Sequence, residues 1–268
     1  MGEREAIERV DEPVTMAAIA ADLRALGVES GDTLFVHTSL SSIGWVSGGA
    51  QAVVEALLAA VGPNGTLVMP AHTGQYTDPD DWENPPIPDD WVQTVRDTRP
   101  PFDPDRTPSR GVGRVPETFR QHPNAIRSDH PLYSVSALGA NADRIAGSHP
   151  DDYGLGPESP LGTIYDLDGA VLMLGTTHET NTSLHLAEHI ADVEQAEQTR
   201  RAPVRRGGER VEIEYRDIEL ETDDFAAVGA DFEADVDPSI GTVSVAESKL
   251  FDMRTLVDYA TEWFERNR

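Results

Sequence analysis

The run Ala170-Val171-Leu172-Met173-Leu174 is apolar at every position, too short for an ordinary helix, and stops at Gly175. Unbroken apolarity over so few residues is the pattern of a strand buried on both faces of an α/β sheet. Beyond a small polar break, Leu184, Ala187, Ile190 and Ala191 recur at helical spacing, with Thr180, Asn181 or Thr182 placed to cap the first turn. The segment therefore predicts strand, turn and helix. Upstream, Met16, Ile19, Ala20, Leu23 and Leu26 repeat as one helix face between Thr15 and Gly27. A strand at Thr33 to His37 follows, then a small-residue loop and a helix from about Ala50 to Val61. The turn Gly62-Pro63-Asn64-Gly65 leads into a strand at Thr66 to Pro70.

Later elements are a short helix at Val115 to Arg120, a loop from Arg127 entering a strand that ends at Gly139, an alternating exposed strand at Val211 to Tyr215, and a helix at Met253 to Phe264. The pattern leaves the type of Phe225 to Phe232 and Ile240 to Val245 open. Strands alternating with helices predict an α/β fold, with a mixed, largely parallel sheet flanked by helices. Residues 1–13 are charged and unpatterned and read as a loose arm. Residues 14–268 read as a single domain carrying an acidic, loop-rich insertion at about 74–110, where prolines and acids displace any period.

Charge narrows the function. The chain of 268 residues has 48 acidic and 21 basic residues, a net charge of −27, and Lys249 as its one lysine. That balance argues against nucleic acid and anionic membranes as partners. Self-repulsion of this size suits a medium of high ionic strength, so a salt-adapted, cytoplasmic protein is expected. Cysteine is absent, which removes disulfides, thiolate nucleophiles and sulfur-ligated metals. The Arg200-Arg201 and Arg205-Arg206 cluster reads as a solvated charged face.

The chemistry gathers where strands end. His37, His72 and His178 each fall at or just beyond the C-terminal end of a predicted strand, which is where α/β proteins build their sites. His185, Glu188 and His189 lie three and four residues apart and share one helix face. Two readings fit them. In acyl transfer, an imidazole takes the proton of an attacking amine, with the carboxylate orienting the ring. In a metal site, His185-x-x-Glu188-His189 matches the inverted zinc-peptidase pattern, two histidines on zinc and a glutamate activating water. The loop from His37 to Gly49 ends in Gly48-Gly49 before a helix, a cradle for a phosphate or pantetheine arm, and it is not a Walker loop.

Four blocks in this order resemble the aminoglycoside 3-N-acetyltransferase family, antibiotic N-acetyltransferases distinct from the GNAT type. They are Val36 through His37-Thr38-Ser39-Leu40-Ser41 to Gly48-Gly49; Gly65 to Pro70; Arg127-Ser128-Asp129-His130-Pro131; and Glu158-Ser159-Pro160-Leu161-Gly162 running on to Asn181 through Glu188. The resemblance implies acetyl-CoA as donor, no metal, and a small cationic amine such as an aminoglycoside as acceptor, hence a role in antibiotic resistance. It implies His185 as catalytic base with Glu188 beside it and His37 in the catalytic group. His37, Thr38, Ser39, Leu40, Ser41, Gly48, Gly49, His72, Ser159 and Pro160 are expected at the coenzyme. His178, Glu179, Asp78, Asp80, Asp224 and Glu233 are expected on the acceptor side, with Asp223, Asp224 or Glu233 completing the catalytic group. A homologue that binds coenzyme A without reaction, and a homodimer, are both compatible with the sequence.

Overall fold

The computed structural model describes residues 2–83 and 85–268; Met1, in the expected arm, and Asn84, in the expected insertion, lie outside the described residues. In chain order the elements are α1 (Glu3–Glu8), α2 (Met16–Leu26), β1 (Thr33–Thr38), α3 (Gly49–Val61), β2 (Thr66–Pro70), α4 (Asp89–Thr98), α5 (Arg114–Arg120), β3 (Ile126–Arg127), β4 (Val135–Gly139) and α6 (Ala142–Ala146). There follow α7 (Pro160–Asp166), β5 (Ala170–Leu174), α8 (Ser183–Ile190), β6 (Glu197–Arg206), β7 (Glu209–Ile218), α9 (Phe225–Val236), β8 (Ser239–Val243), β9 (Ala246–Asp252) and α10 (Met253–Asn267).

Among the described residues, seven strands form one mixed sheet in the order β3-β4-β2-β1-β5-β9-β8. Parallel pairing is confined to its centre, where β1 lies between β2 and β5. The outer strands β4, β3, β9 and β8 all pair antiparallel, more than the pattern led us to expect. The three central strands are apolar on both faces because both are covered. Leu34, Val36, Leu67 and Leu172 pack with Ile19, Leu23, Val53 and Leu57 of α2 and α3. The intervening Phe35, Val68, Val171 and Met173 pack on α7 to α10 through Leu161, Leu184, Val228 and Leu256. Each such side chain, fully buried, contributes about 1.5–3 kcal/mol. The period of two sends His37 to the same face as Phe35, against whose ring it sits edge-on at 4.7 Å.

Several expectations change. The arm is not loose: residues 3–8 form α1, Ala6 is buried, and Glu3 accepts a hydrogen bond from Trp45 Nε1 at 3.2 Å. The insertion is folded. It contains α4 and packs on the β6–β7 hairpin, Phe102 N–H donating to Pro203 O at 2.7 Å around a small core of Tyr76, Phe102 and Val204. The arginine cluster is a strand, β6, and its charges are spent on ion pairs: Arg200 with Asp217, Arg201 with Glu214, Arg205 with Asp103, and Arg206 with Asp129 and Asp151. Among the described residues no helix is long and apolar enough to cross a membrane.

Candidate active site

Because β1, β2 and β5 run parallel, their C-terminal ends open on the same edge, and there lies a cavity of about 1080 Å³. That exceeds the roughly 300–1,000 Å³ of a usual small-molecule site and leaves room for two ligands. Its walls come from the β1–α3 loop, from His72 beyond β2, from residues 111–114 before and at the start of α5, and from the turn between β5 and α8, with α1 contributing Glu3 and Ala6. The β1–α3 loop can turn so tightly because Gly48 and Gly49 both take left-handed backbone, at φ +91° and +58°.

His185 projects from the first turns of α8 into this cavity. Its Nδ1 meets Glu188 Oε2 at 2.5 Å, one helical turn on. With Nδ1–H donated to the carboxylate, Nε2 is the ring's proton-accepting nitrogen. The His185 side chain is 15% exposed and the Glu188 side chain 1%. Glu188 Oε1 in turn accepts from the backbone N–H of Glu221 at 2.9 Å and from Arg268 Nη1 at 2.8 Å. A buried carboxylate needs such donors on both oxygens.

Two further histidines face the same space. Burial, with His72, His178 and His185 nearby, pushes His37 down to about 3. Burial, with His185 nearby, pushes His72 down to about 3 as well. Both rings are therefore neutral near pH 7. His37 Nε2, His72 Nε2, Thr38 Oγ1 and Thr176 Oγ1 are buried without a protein partner, and all four residues line the cavity. Unpaired buried polar atoms are costly unless a ligand or water completes them.

Of the residues expected from sequence, His37, Thr38, Ser39, Leu40, Ser41, Gly48, Gly49, His72, Glu179 and His185 line the cavity, with Glu188 directly behind His185. The others do not line it. Ser159 is buried and caps α7, its Oγ accepting from Leu161 N–H with Pro160 in the first helical turn. His178 is turned away: Nε2 bonds Glu233 Oε1 at 2.9 Å and the ring stacks on Phe251. Gly229 makes room for it, since a Cβ there would lie 2.2 Å from His178 Cγ. Glu233 is shared with Lys249 Nζ at 2.6 Å, so both of its known partners lie away from the cavity. Asp78 and Asp80 are both tied to Arg96 in the insertion. Asp224 is held by Arg268 at 2.7 and 2.8 Å, and the acid in contact with His185 is Glu188 itself.

The zinc reading loses its second histidine. His189 Nε2 lies 3.8 Å from Asp217 Oδ1, and burial pushes its ring down to about 4. Among the described residues, no three His, Cys, Asp or Glu side chains converge as a metal-ligand set. Trp45, within the expected His37 to Gly49 loop, lines the cavity, and so do Gly111, Gly113, Arg114, Thr176 and Phe225, which the sequence pattern does not single out. The Gly111-Val112-Gly113 spacing was the one local signal available, and both glycines have positive φ.

With a helix-borne His–Glu pair at parallel strand ends beside a cavity of about 1080 Å³, the chain is an acyltransferase of the α/β class. The chain belongs to the aminoglycoside 3-N-acetyltransferase family, whose sequence profile matches residues 35–265. An SPbeta prophage-derived aminoglycoside N(3')-acetyltransferase-like protein, YokD, of Bacillus subtilis (strain 168) is 41% identical over 262 residues, covering 97% of this chain and 96% of that one. The crystal structure of the YokD protein from Bacillus subtilis superposes with a TM-score of 0.96 at 40% identity, covering 98% of each chain. Aminoglycoside N(3)-acetyltransferase VII of Streptomyces paromomycinus is 37% identical over 290 residues, covering 99% of this chain and 96% of that one. A structure of AAC-IIIb in binary complex with CoASH matches with a TM-score of 0.86 at 33% identity, covering 95% of this chain and 97% of that one.

Proposed function

We propose that this protein transfers the acetyl group of acetyl-CoA to an amine of an aminoglycoside or similar cationic aminosugar, with His185 as general base. The observation that carries the reading is the His185 Nδ1 to Glu188 bond at 2.5 Å, which leaves Nε2 basic inside a two-ligand cavity. Glu188 fixes the tautomer and balances the positive charge that the ring acquires. The acceptor ammonium first gives one proton to solvent; His185 Nε2 then removes a second as the nitrogen bonds to the thioester carbonyl carbon, the carbon–sulfur bond breaks, and the imidazolium returns that second proton to the departing thiolate. Thr38 and Thr176, whose hydroxyls have no protein partner, supply donors for the carbonyl oxygen as it gathers negative charge.

The first turn of α3, a helix of 13 residues, offers the amide groups beyond Gly49, whose own N–H is taken by Val46 O, to the coenzyme's phosphates and pantetheine. Arg114 lines the same cavity and adds a cation. On the acceptor side, Glu179 is the carboxylate of the β5–α8 turn that reaches the cavity. The acids of the insertion act on a cationic acceptor through the long-range field, their own contacts being internal. The AAC-IIIb complex with CoASH and the naming of the relatives support this assignment of donor and acceptor. Resistance to an aminoglycoside would be its cellular consequence.

Thiol release from acetyl-CoA is expected in the presence of at least one member of an aminoglycoside panel, with acetylated amine detected by mass. Binding of coenzyme A without thiol release for any amine would favour a homologue that has lost the reaction. We also propose a salt-adapted cytoplasmic protein, in which a monomer and a homodimer are both compatible. Screening shortens from a Debye length of about 10 Å at 0.1 M to about 3 Å at 1 M salt, so the −27 charge repels itself far less in concentrated potassium chloride. The melting temperature is expected to climb between those salt concentrations; a melting temperature indifferent to salt would remove the salt-adapted reading.

A further inference from the structure

Arg268 makes more bonds to the region behind the active site than any shared surface charge would need. Its Nη1 donates to Glu188 Oε1 at 2.8 Å, and Nη2 donates to Glu221 O at 2.8 Å and to Asp224 Oδ1 at 2.7 Å. Nε donates to Asp224 Oδ2 at 2.8 Å, so the Asp224 contact is a two-pronged fork. The guanidinium also lies 3.8 Å over the Phe264 ring. Phe264 stacks on Phe225 at 6.3 Å, and Phe225 lies 4.9 Å from the His185 ring. One side chain thus reaches the dyad by two routes, ionic through Glu188 and steric through the two phenylalanines.

We propose that Arg268 is a positioning residue for acetyl transfer: it clamps Glu188 to the segment 221–224 and so holds the carboxylate against His185 Nδ1 and aims Nε2 into the cavity. The inference rests on His185 being the base. A geometric argument requires the clamp. Glu188 has one oxygen on His185 and is otherwise held by the Glu221 amide and by Arg268. Without the guanidinium, the carboxylate keeps its charge in a buried place with one fewer donor, and the 221–224 segment loses its tie to α10.

Charge gives the second consequence. The titratable and charged groups around His185 are Glu3 from α1, His37 from β1, His72 beyond β2, Glu179 from the turn before α8, Glu188 and His189 on its own helix, Asp224 ahead of α9, Arg114 across the cavity wall, and Arg268. Arg268 is the cation bonded directly to the dyad. It disfavours a second positive charge on the ring, and it offsets the Glu188 charge that favours one. Taking it away makes the ring easier to protonate, so activity must be lost at a higher pH on the acid side.

The test is the pH profile of kcat/KM for purified Arg268→Ala and Arg268→Lys beside the unmodified protein and His185→Ala. R268A is expected to lose about tenfold or more in kcat near pH 7, with its acid limb moved up by about 1 pH unit or more. R268K keeps the charge and is expected to hold the limb in place while losing plateau activity, because an ammonium cannot form the fork. Free guanidinium is expected to restore R268A in both respects. An R268A profile scaled down equally at every pH, with the limb unmoved, would make Arg268 a structural brace and overturn the proposal. Should R268A fail to fold, Arg268→Gln, which keeps hydrogen-bond donors without the charge, takes its place: a lowered kcat with the acid limb moved up supports the proposal, and an unmoved limb overturns it. Activity surviving in His185→Ala would instead reject the base on which the inference rests, whatever the arginine variants do.

Discussion

His185→Ala is expected to lower kcat/KM for acetyl transfer by roughly 10²–10⁴-fold, the usual worth of a positioned general base, while leaving the KM for acetyl-CoA little changed. An acceptor amine that has given its ammonium proton to solvent must still lose a second proton as it bonds to the thioester carbon, and without His185 no group at the site takes it. The site's other imidazoles cannot take over. His37 and His72 are pushed down to about 3, so they are poor proton acceptors. The residual rate in the variant should rise with pH up to the amine's own titration, because hydroxide and solvent then do what the ring did. The wild-type rate should level off earlier. The melting temperature should fall only modestly, since Glu188 Oε2 loses its donor while Oε1 keeps Glu221 and Arg268. A variant that is folded, binds coenzyme A and still acetylates within a few-fold of wild type would reject the mechanism.

The parts of this protein that could be read from sequence are those whose cause is local. Ala170 to Leu174, Thr33 to His37 and Thr66 to Pro70 are apolar without alternation because helices cover both faces of the three central strands, and that pattern needs no knowledge of what covers them. His185 and Glu188 meet because three residues of helix bring them together. What was missed depends on distant partners. β6 hid as a basic cluster because its arginines pair with acids of β7 and of remote loops, and alternation of apolar and polar positions is weak where both faces carry charge. His178 stands at a strand end like His37, yet Gly229 and Phe251 draw it into the core. Arg268 reads as one more charge in a polar tail, and its partner Glu188 is 80 residues away. Ser159 is different. A serine followed by proline is a helix start, so the cap was legible and the resemblance to a coenzyme loop outweighed it.

Acidification below about pH 6.5 is expected to unfold the protein over a narrow range, well before most of its carboxylates titrate. Burial pushes His37 and His72 down to about 3 and His149 and His189 down to about 4, and it also lowers His130 and His178. An unfolded histidine titrates near 6.5. A depressed folded value means that the native state binds fewer protons than the unfolded state below that point. The stabilisation is therefore complete above about pH 6.5 and is lost as pH falls toward the folded values. Each such ring gives up about 1.4 kcal/mol per pH unit, or about 2 kcal/mol by pH 5. Even half of that, summed over four rings, is a large part of the roughly 5–15 kcal/mol that holds a domain together. Two effects oppose it. Asp217 is raised by burial and gains from protonation, and the −27 charge shrinks as protons bind. The charge effect acts mainly where the carboxylates as a whole titrate, below the window in which the histidines have already been lost, and Asp217 is one group against several rings. At constant ionic strength the melting temperature should be nearly level from pH 8 to 7 and fall steeply from 6.5 to 5. Calorimetry in buffers of differing ionisation enthalpy should find about three protons taken up on unfolding at pH 6 by His37, His72, His149 and His189 alone. A melting temperature that holds or rises down to pH 5 would mean that these rings accept protons in the folded state, and with it would go the claim that His37 and His72 meet the substrates as neutral groups.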